Sequence, residues 1–382
     1  MNILFYCQHV LGVGHYFRSL EICAALDKHS VTLVLGGPTD HLPQPENIKT
    51  VHLPCLMMDR EFSALSVCER GSEIETIKSE RKKLLISLVN SLDPDIFIIE
   101  LYPFGRKAFS FELEPAIKAA RSLSSCTVVC SLRDILVEKN KQIAYEERVI
   151  KILNASFDAL LVHSDPSFLP LTKTFTAVDK INIPIIYTGF VARKEQPVGE
   201  SSVSRQFGLD NKGRLLVASA GSGAVGHNLL EAVINALPHL KTRNIQLIIF
   251  AGPYMEESEY RGLHDCASGK ENIRIHRFTN DFLSYLDAAD LSISMAGYNT
   301  CMNIMVTNTP ALMWPFSQNR EQRMRAELLG GPITVLEDHD LRPHKLADAI
   351  DQKLTVLHEK SYSVDLNGAE NSARWLEQNG GR

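Results

Sequence analysis

The residues of this 382-residue chain most able to do chemistry lie where short apolar runs give way to turns of glycine and small polar side chains. Leu291–Met295 ends in Ala296-Gly297-Tyr298-Asn299-Thr300, and a second run, Pro310–Phe316, leads to Gln318-Asn319-Arg320-Glu321-Gln322. A glycine turn that opens a helix presents free N–H groups and the positive end of the helix dipole, a setting that suits a phosphate. Gly221-Ser222-Gly223-Ala224-Val225-Gly226 has GxGxxG spacing between a strand-like run and a helix-like one. A dinucleotide-binding unit should close its next strand with an acid for the ribose. Here Leu247–Phe250 runs into Ala251-Gly252-Pro253, so the turn reads either as facing a phosphate or another ligand without NAD, or as turn chemistry alone. Gly12-Val13-Gly14-His15 also follows a strand, but Phe17 breaks the fingerprint. What remains is a histidine at a helix start, which is structural, a general base or a phosphate contact. The chain has no HExxH, no clustered carboxylates, no GxSxG and no P-loop, so no metal or cofactor is expected.

Alternating elements position these turns. Asn2–Gln8, Ser30–Leu35, Val51–Leu53, Asp95–Glu100, Thr127–Ser131, Ala159–His163 and Ile185–Thr188 read as strands, with helices over about 16–26 and 113–123. Residues 56–92 read as long, polar and helix-like, with Lys78-Ser79-Glu80-Arg81-Lys82-Lys83 as a solvated face. Residues 192–204, rich in Pro, Gly and Ser, read as a linker. The pattern then restarts with strands at 215–219, 246–251, 273–276 and 291–295, and helices over 228–237, 281–288, 344–357 and 369–378. Short buried strands alternating with helices argue for parallel sheets, and ligands bind outside the carboxyl ends of such strands.

Composition bounds the class. The length favours about two domains at roughly 100–200 residues each. Residues 1–194 carry 22 basic and 22 acidic side chains and the rest 18 and 23, so neither half has the basic excess of a nucleic-acid binder. The eight cysteines form no CxxC, and several lie in apolar runs, so free buried thiols are expected rather than disulfides or zinc ligands. Met1-Asn2 leads straight into a strand, and no apolar span approaches 18 residues, so a cytoplasmic protein is expected, with peripheral membrane contact open.

The order strand, Gly12-x-Gly14-His15-x-x-Arg18, helix, then Pro103-Phe104-Gly105-Arg106, Ser131-Leu132-Arg133-Asp134, Tyr187-Thr188-Gly189, the Ala220–Gly223 turn and Gly297-Tyr298-Asn299-Thr300 resembles the GT-B glycosyltransferases. The resemblance is nearest to the group around the N-acetylglucosaminyltransferase that forms lipid II and to uncharacterised glycosyltransferases related to it. It implies an α/β fold of two Rossmann-like parallel-sheet domains facing across a cleft. Residues 1–192 would bind the acceptor and 205–358 the nucleotide sugar, with a terminal helix in 359–382 packing back on the first domain. His15 matches the histidine of the family's N-terminal loop, and Gly14 precedes it there. Arg193 matches an arginine that reaches the donor diphosphate. Gly221, Ser222 and Gly223 match the turn near the nucleotide, and Phe278 the position whose main chain reads uracil. Gly297, Tyr298, Asn299 and Thr300 match the phosphate cradle. Gln318 falls in the loop beside Glu321 and Gln322, which match the pair that holds the sugar hydroxyls. The family usually has Glu where this chain has Asn303, which puts the hold on the ribose in doubt.

The chemistry so implied is inverting, metal-independent displacement at the anomeric carbon of a UDP sugar, with UDP-N-acetylglucosamine one candidate. The acceptor is an unidentified small-molecule or lipid-linked hydroxyl, and the protein acts as a monomer or homodimer. His15 is the first candidate base and Glu100 the second, Glu100 alternatively pairing with Arg106 or Arg133. Arg106 and Arg133 are structural or contact an acidic acceptor. Two rivals stand beside this reading: a non-catalytic nucleotide-sugar binder or partner subunit, and a sugar-nucleotide epimerase.

Overall fold

The computed structural model describes residues 1–9, 14–38, 48–58, 64–68, 73–137, 139–193, 213–242, 244–316, 320–355 and 364–381. The chain divides into two compact units, Met1–Ala192 with Val364–Arg382, and Arg193–Ser363.

The first unit is built on seven strands: β1 (Asn2–Cys7), β2 (Ser30–Leu35), β3 (Lys49–His52), β6 (Ile96–Glu100), β7 (Thr127–Arg133), β8 (Ala159–His163) and β9 (Ile185–Tyr187). They pair in the order β3-β2-β1-β6-β7-β8-β9, all parallel. All five residues of β6 and of β8 are buried, as expected of central strands covered on both faces. Alternation along β1 splits the core in two. Leu4 and Tyr6 pack with Leu85, Leu113 and Leu153 from α2 (Ile74–Leu92), α3 (Ser110–Arg121) and α4 (Gln142–Ser156). Ile3 and Phe5 pack on the other face with Tyr16 and Ile22 of α1 (Gly14–Ala24) and Ala373 and Leu376 of α11 (Gly368–Asn379).

Three features differ from the sequence reading. Residues 56–58 and 64–68 are not helical. β4 (Leu56–Met58) and β5 (Leu65–Val67) form an antiparallel hairpin instead. The hairpin brings Cys55 and Cys68 to a Cα–Cα distance of 5.5 Å, and they are joined in a disulfide, which corrects the expectation of free thiols there. The other six cysteines are free. Finally, Arg81 is not on a solvated face. It continues the buried stripe Ile77, Arg81, Leu85, Val89 of α2. Its guanidinium is fully buried, donating to both Glu112 oxygens at 2.7 and 2.6 Å, to Gln8 Oε1 at 2.7 Å and to the carbonyls of Gly36 and Pro54. Such a planar fork is the one cation that can be satisfied bidentately inside a core.

The second unit repeats the plan with β10 (Arg214–Ser219), β11 (Ile245–Phe250), β12 (Ile273–His276), β13 (Leu291–Met295), β14 (Ala311–Trp314) and β15 (Ile333–Val335), in the parallel order β12-β11-β10-β13-β14-β15. Its helices are α5 (His227–Ala236), α6 (Glu257–Ala267), α7 (Phe282–Asp287), α8 (Tyr298–Thr307), α9 (Arg320–Leu329) and α10 (Pro343–Thr355). Among the described residues no helix is long and apolar enough to cross a membrane.

Candidate functional site

Each sheet reverses its strand order once, between β1 and β6 in the first unit and between β10 and β13 in the second. The loops leaving the two strands at such a point diverge and open a crevice at their carboxyl ends. Of the candidate residues from the sequence, His15 and Glu100 lie at the first of these places and Gly221–Gly223 and Gly297–Thr300 at the second, while Arg133, Arg193, Phe278, Glu321 and Gln322 lie on other segments.

In the first unit His15, the second residue of α1, meets Glu100, the last residue of β6. His15 Nδ1 lies 2.6 Å from Glu100 Oε1. Arg18, one turn along α1, donates through Nη2 to the same oxygen and lies 3.0 Å from His15 Nδ1. Glu100 and Arg18 are nearly sealed, at 1% and 3% exposure, whereas the His15 side chain is 17% exposed. Glu100 thus serves as a partner of His15, and its cation is Arg18, an arginine to which the sequence reading gives no role.

Burial pushes the His15 pKa down to about 3. The Glu100 carboxylate opposes that shift, and the Arg106 and Arg18 charges reinforce it. Burial by itself would raise the Glu100 pKa, but the His15 ring, Arg18 and Arg106 outweigh it and hold the carboxyl well below the usual carboxylate range. An ionised carboxylate only accepts hydrogen bonds, so Glu100 favours the imidazole proton on Nδ1, the nitrogen that Arg18 Nη2 also faces. Nε2 has no hydrogen-bond partner among the described residues and is not among the sealed polar atoms.

The loop after β6 carries strain. Leu101 and Arg106 take φ of 66° and 59°, in the left-handed region that ordinary side chains avoid. Leu101 is held there by its N–H on Ser131 O at 2.8 Å and by its carbonyl, which accepts from Gly105 N at 2.8 Å. The loop delivers the Arg106 guanidinium to the Glu100 region, and burial lowers its pKa. Arg106 Nε and Nη2 are buried with no hydrogen-bond partner among the described residues, and so is Glu100 Oε2. Arg133 turns to its own loop instead, with Nε donating to Ile135 O at 3.1 Å. Next to these strands, buried His163 bridges Ser131 Oγ at 2.7 Å and Thr188 Oγ1 at 2.9 Å, and burial pushes its pKa down to about 3.

The second unit's crevice is made of main chain. Gly221 has φ +66° and open space where a Cβ would point. Gly223, at φ +87°, sits where a Cβ would come within 2.6 Å of Ala251 O. Tyr254 N donates to Ser222 O at 2.9 Å, so the turns after β10 and β11 are held backbone to backbone. After β13, Gly297 caps α8 without a side-chain bond, and the first N–H groups of Tyr298, Asn299 and Thr300 belong to the turn whose donors have no partner within a helix. The Tyr298 side chain is buried, with its ring centroid 5.4 Å from the Arg325 guanidinium, while Arg325 Nη1 donates to Ala296 O at 3.4 Å. Arg325, buried on α9 beneath this turn, is a second arginine without a role in the sequence reading.

Asn303, one turn into α8, is half-buried and makes no side-chain hydrogen bond to a described residue. Gln322 Oε1 accepts from Phe316 N at 3.0 Å, and Glu321 is 8% exposed. Arg193 Nη1 donates to Asn280 O at 2.9 Å, which places it beside the loop that carries Phe278, itself 36% exposed. Gln318 and Gly12 lie outside the described residues. Among the described residues no three His, Cys, Asp or Glu side chains gather to hold a metal ion.

Residues 221–374 match the C-terminal domain of glycosyltransferase family 28. The chain is 31% identical over 336 residues to the UDP-N-acetylglucosamine–N-acetylmuramyl-(pentapeptide) pyrophosphoryl-undecaprenol N-acetylglucosamine transferase of Synechococcus sp. (strain CC9902), covering 84% of this chain and 80% of that one. The chain belongs to this family 28 of glycosyltransferases. An uncharacterized glycosyltransferase of Methanopyrus kandleri is 21% identical over 245 residues, 63% of this chain and 68% of that one. In fold, the family 28 chain is similar to MurG of Acinetobacter baumannii, with TM-score 0.60, 16% identity and coverage of 99% and 100% of the two chains. It is also similar to the UDP-GlcNAc 2-epimerase of Methanocaldococcus jannaschii, with TM-score 0.61, 12% identity and 99% of each chain covered. The two parallel Rossmann-like sheets are those of the GT-B fold.

Proposed function

We propose that this family 28 enzyme moves a sugar from a uridine diphosphate sugar, with UDP-N-acetylglucosamine the first candidate, to a hydroxyl of a small-molecule or lipid-linked acceptor. The observation that carries the reading is the His15–Glu100 pair at a strand-order reversal, with its outer ring nitrogen unbonded among the described residues. In the proposed step the acceptor hydroxyl gives its proton to His15 Nε2 as its oxygen bonds to the anomeric carbon. The bond from that carbon to the diphosphate breaks, and the configuration inverts. Glu100 stabilises the imidazolium that forms by accepting from Nδ1. The leaving diphosphate is held by the N-terminal N–H groups of α8 and by Arg193, and no metal takes part. The Gly221–Gly223 turn and the main chain at Phe278 hold the nucleoside, with Glu321 and Gln322 on the sugar.

The test is incubation with a panel of nucleotide sugars, with and without EDTA, following nucleotide release and the anomeric proton by NMR. Release of UDP that survives EDTA and falls in His15→Ala supports the reading. Conversion of the donor to its 2-epimer without release of UDP would identify an epimerase instead. Binding of UDP without turnover on any acceptor would identify a binding subunit, the outcome that Asn303 favours.

A further inference from the structure

The pairing of His15 with Glu100 does not by itself say which ring nitrogen holds the proton, because Nδ1 faces two groups. Glu100 Oε1 lies at 2.6 Å and Arg18 Nη2 at 3.0 Å. A bare Nδ1 would accept from Arg18 and put the proton on Nε2, which would then be useless as a base. A protonated Nδ1 donates to Glu100, and Arg18 donates to the same oxygen. The shorter contact and the ionised carboxylate both favour the second arrangement. Glu100 Oε2 has no hydrogen-bond partner among the described residues, so the carboxylate is aimed through Oε1 alone. Arg18 reaches that oxygen because residues three apart share one face of α1.

We propose that Arg18 is a positioning residue for the base: by tying Glu100 Oε1 to α1 it fixes the carboxylate opposite His15 Nδ1, keeps the imidazole proton there and leaves the Nε2 lone pair free. The inference rests on the reading of His15 as the base. Arg18 touches no substrate in it and acts through Glu100. The charged groups that face His15 are Glu100 from β6, Arg106 from the loop after β6, and Arg18 from its own helix.

The test is long-range 1H–15N NMR of the full-length, 15N-labelled protein, with the His15 signals identified by their loss in His15→Gln. The wild type should show the Nδ1–H tautomer at pH 7. In Arg18→Gln the ratio of Nδ1–H to Nε2–H should fall about tenfold, the weight of one charge-assisted hydrogen bond. Arg18→Lys should restore most of that ratio. In donor hydrolysis, Arg18→Gln should lower kcat while leaving KM for the nucleotide sugar within about twofold, the pattern of an interaction made in the transition state. A purely structural arginine would leave the tautomer ratio where it was, and that result overturns the proposal. So does an Nε2–H tautomer in the wild type, which needs no variant to fold. If His15→Gln retains transfer, it is the base assignment that fails, and the tautomer ratio still decides the role of Arg18.

Discussion

The two strand-order reversals of this molecule share one backbone plan and hold opposite chemistry. Between β1 and β6 the crevice is lined by charged and titratable side chains largely sealed from water: His15, Glu100, Arg18 and Arg106. Between β10 and β13 it is lined by glycines and the start of α8, and the strands beneath hold buried Ser219, Ser292 and Ser294, whose hydroxyls bond one another at 3.0 and 2.9 Å. Side chains that can gain or lose a proton suit a step in which a proton moves. Fixed N–H dipoles suit an anion that must be held without proton exchange. The same fold therefore supplies two tools, and the difference lies in the residues that leave the carboxyl end of each strand.

The sharpest way to break that comparison is His15→Ala. If the first crevice handles the proton, kcat should fall by roughly 10²–10⁴-fold while nucleotide affinity holds. A fall in affinity with kcat intact would reverse the two roles. Arg81→Met asks whether every buried charge in the first unit is functional. It should cost about 3–5 kcal/mol of stability in a denaturant titration, because buried Glu112 loses its ion-pair partner and keeps only the Tyr6 hydroxyl among the described residues, and leave the His15 tautomer unchanged. Gly223→Ala should cost about 1–3 kcal/mol, since a Cβ there meets backbone at a positive φ.

Acid should weaken the protein through the histidines held neutral. The folded pKa of His163 lies near 3, below its unfolded value of 6.5, so its stabilisation is complete above about pH 6.5 and is lost as pH falls toward 3. Between pH 6.5 and 5 this amounts to roughly 2 kcal/mol, and His163→Gln should flatten that part of the curve of stability against pH. The smallest expected effect on stability is that of Gly221→Ala, about 1 kcal/mol, because its positive φ faces open space. If that space receives the nucleotide, calorimetry should show UDP affinity falling by more than the stability does.

Much of the frame is legible from residue order. The strands at 30–35, 159–163 and 291–295 fall where the apolar runs lie, because a strand covered on both faces needs a run with few polar side chains. The turn at Gly297–Thr300 is legible too, since a glycine between a strand and a helix acts locally. The β4–β5 hairpin escapes because three-residue strands have too few positions to show a period, and with it escapes the Cys55–Cys68 bond. Arg81 escapes because four charged neighbours within 78–83 mask its place in a four-residue stripe.

By itself, then, the sequence determined the two parallel sheets, their loops and the set of residues those loops could offer, because hydrophobic period and turn chemistry act over a few neighbouring residues. Only the tertiary structure decided that His15 and Glu100, 85 residues apart, meet in a hydrogen bond, and that Arg18 rather than Arg106 or Arg133 bonds to the carboxylate. The reason is physical. A charge is stabilised by whatever stands within a few ångströms of it, and the sheet order that sets β1 beside β6 is written in no single stretch of the chain.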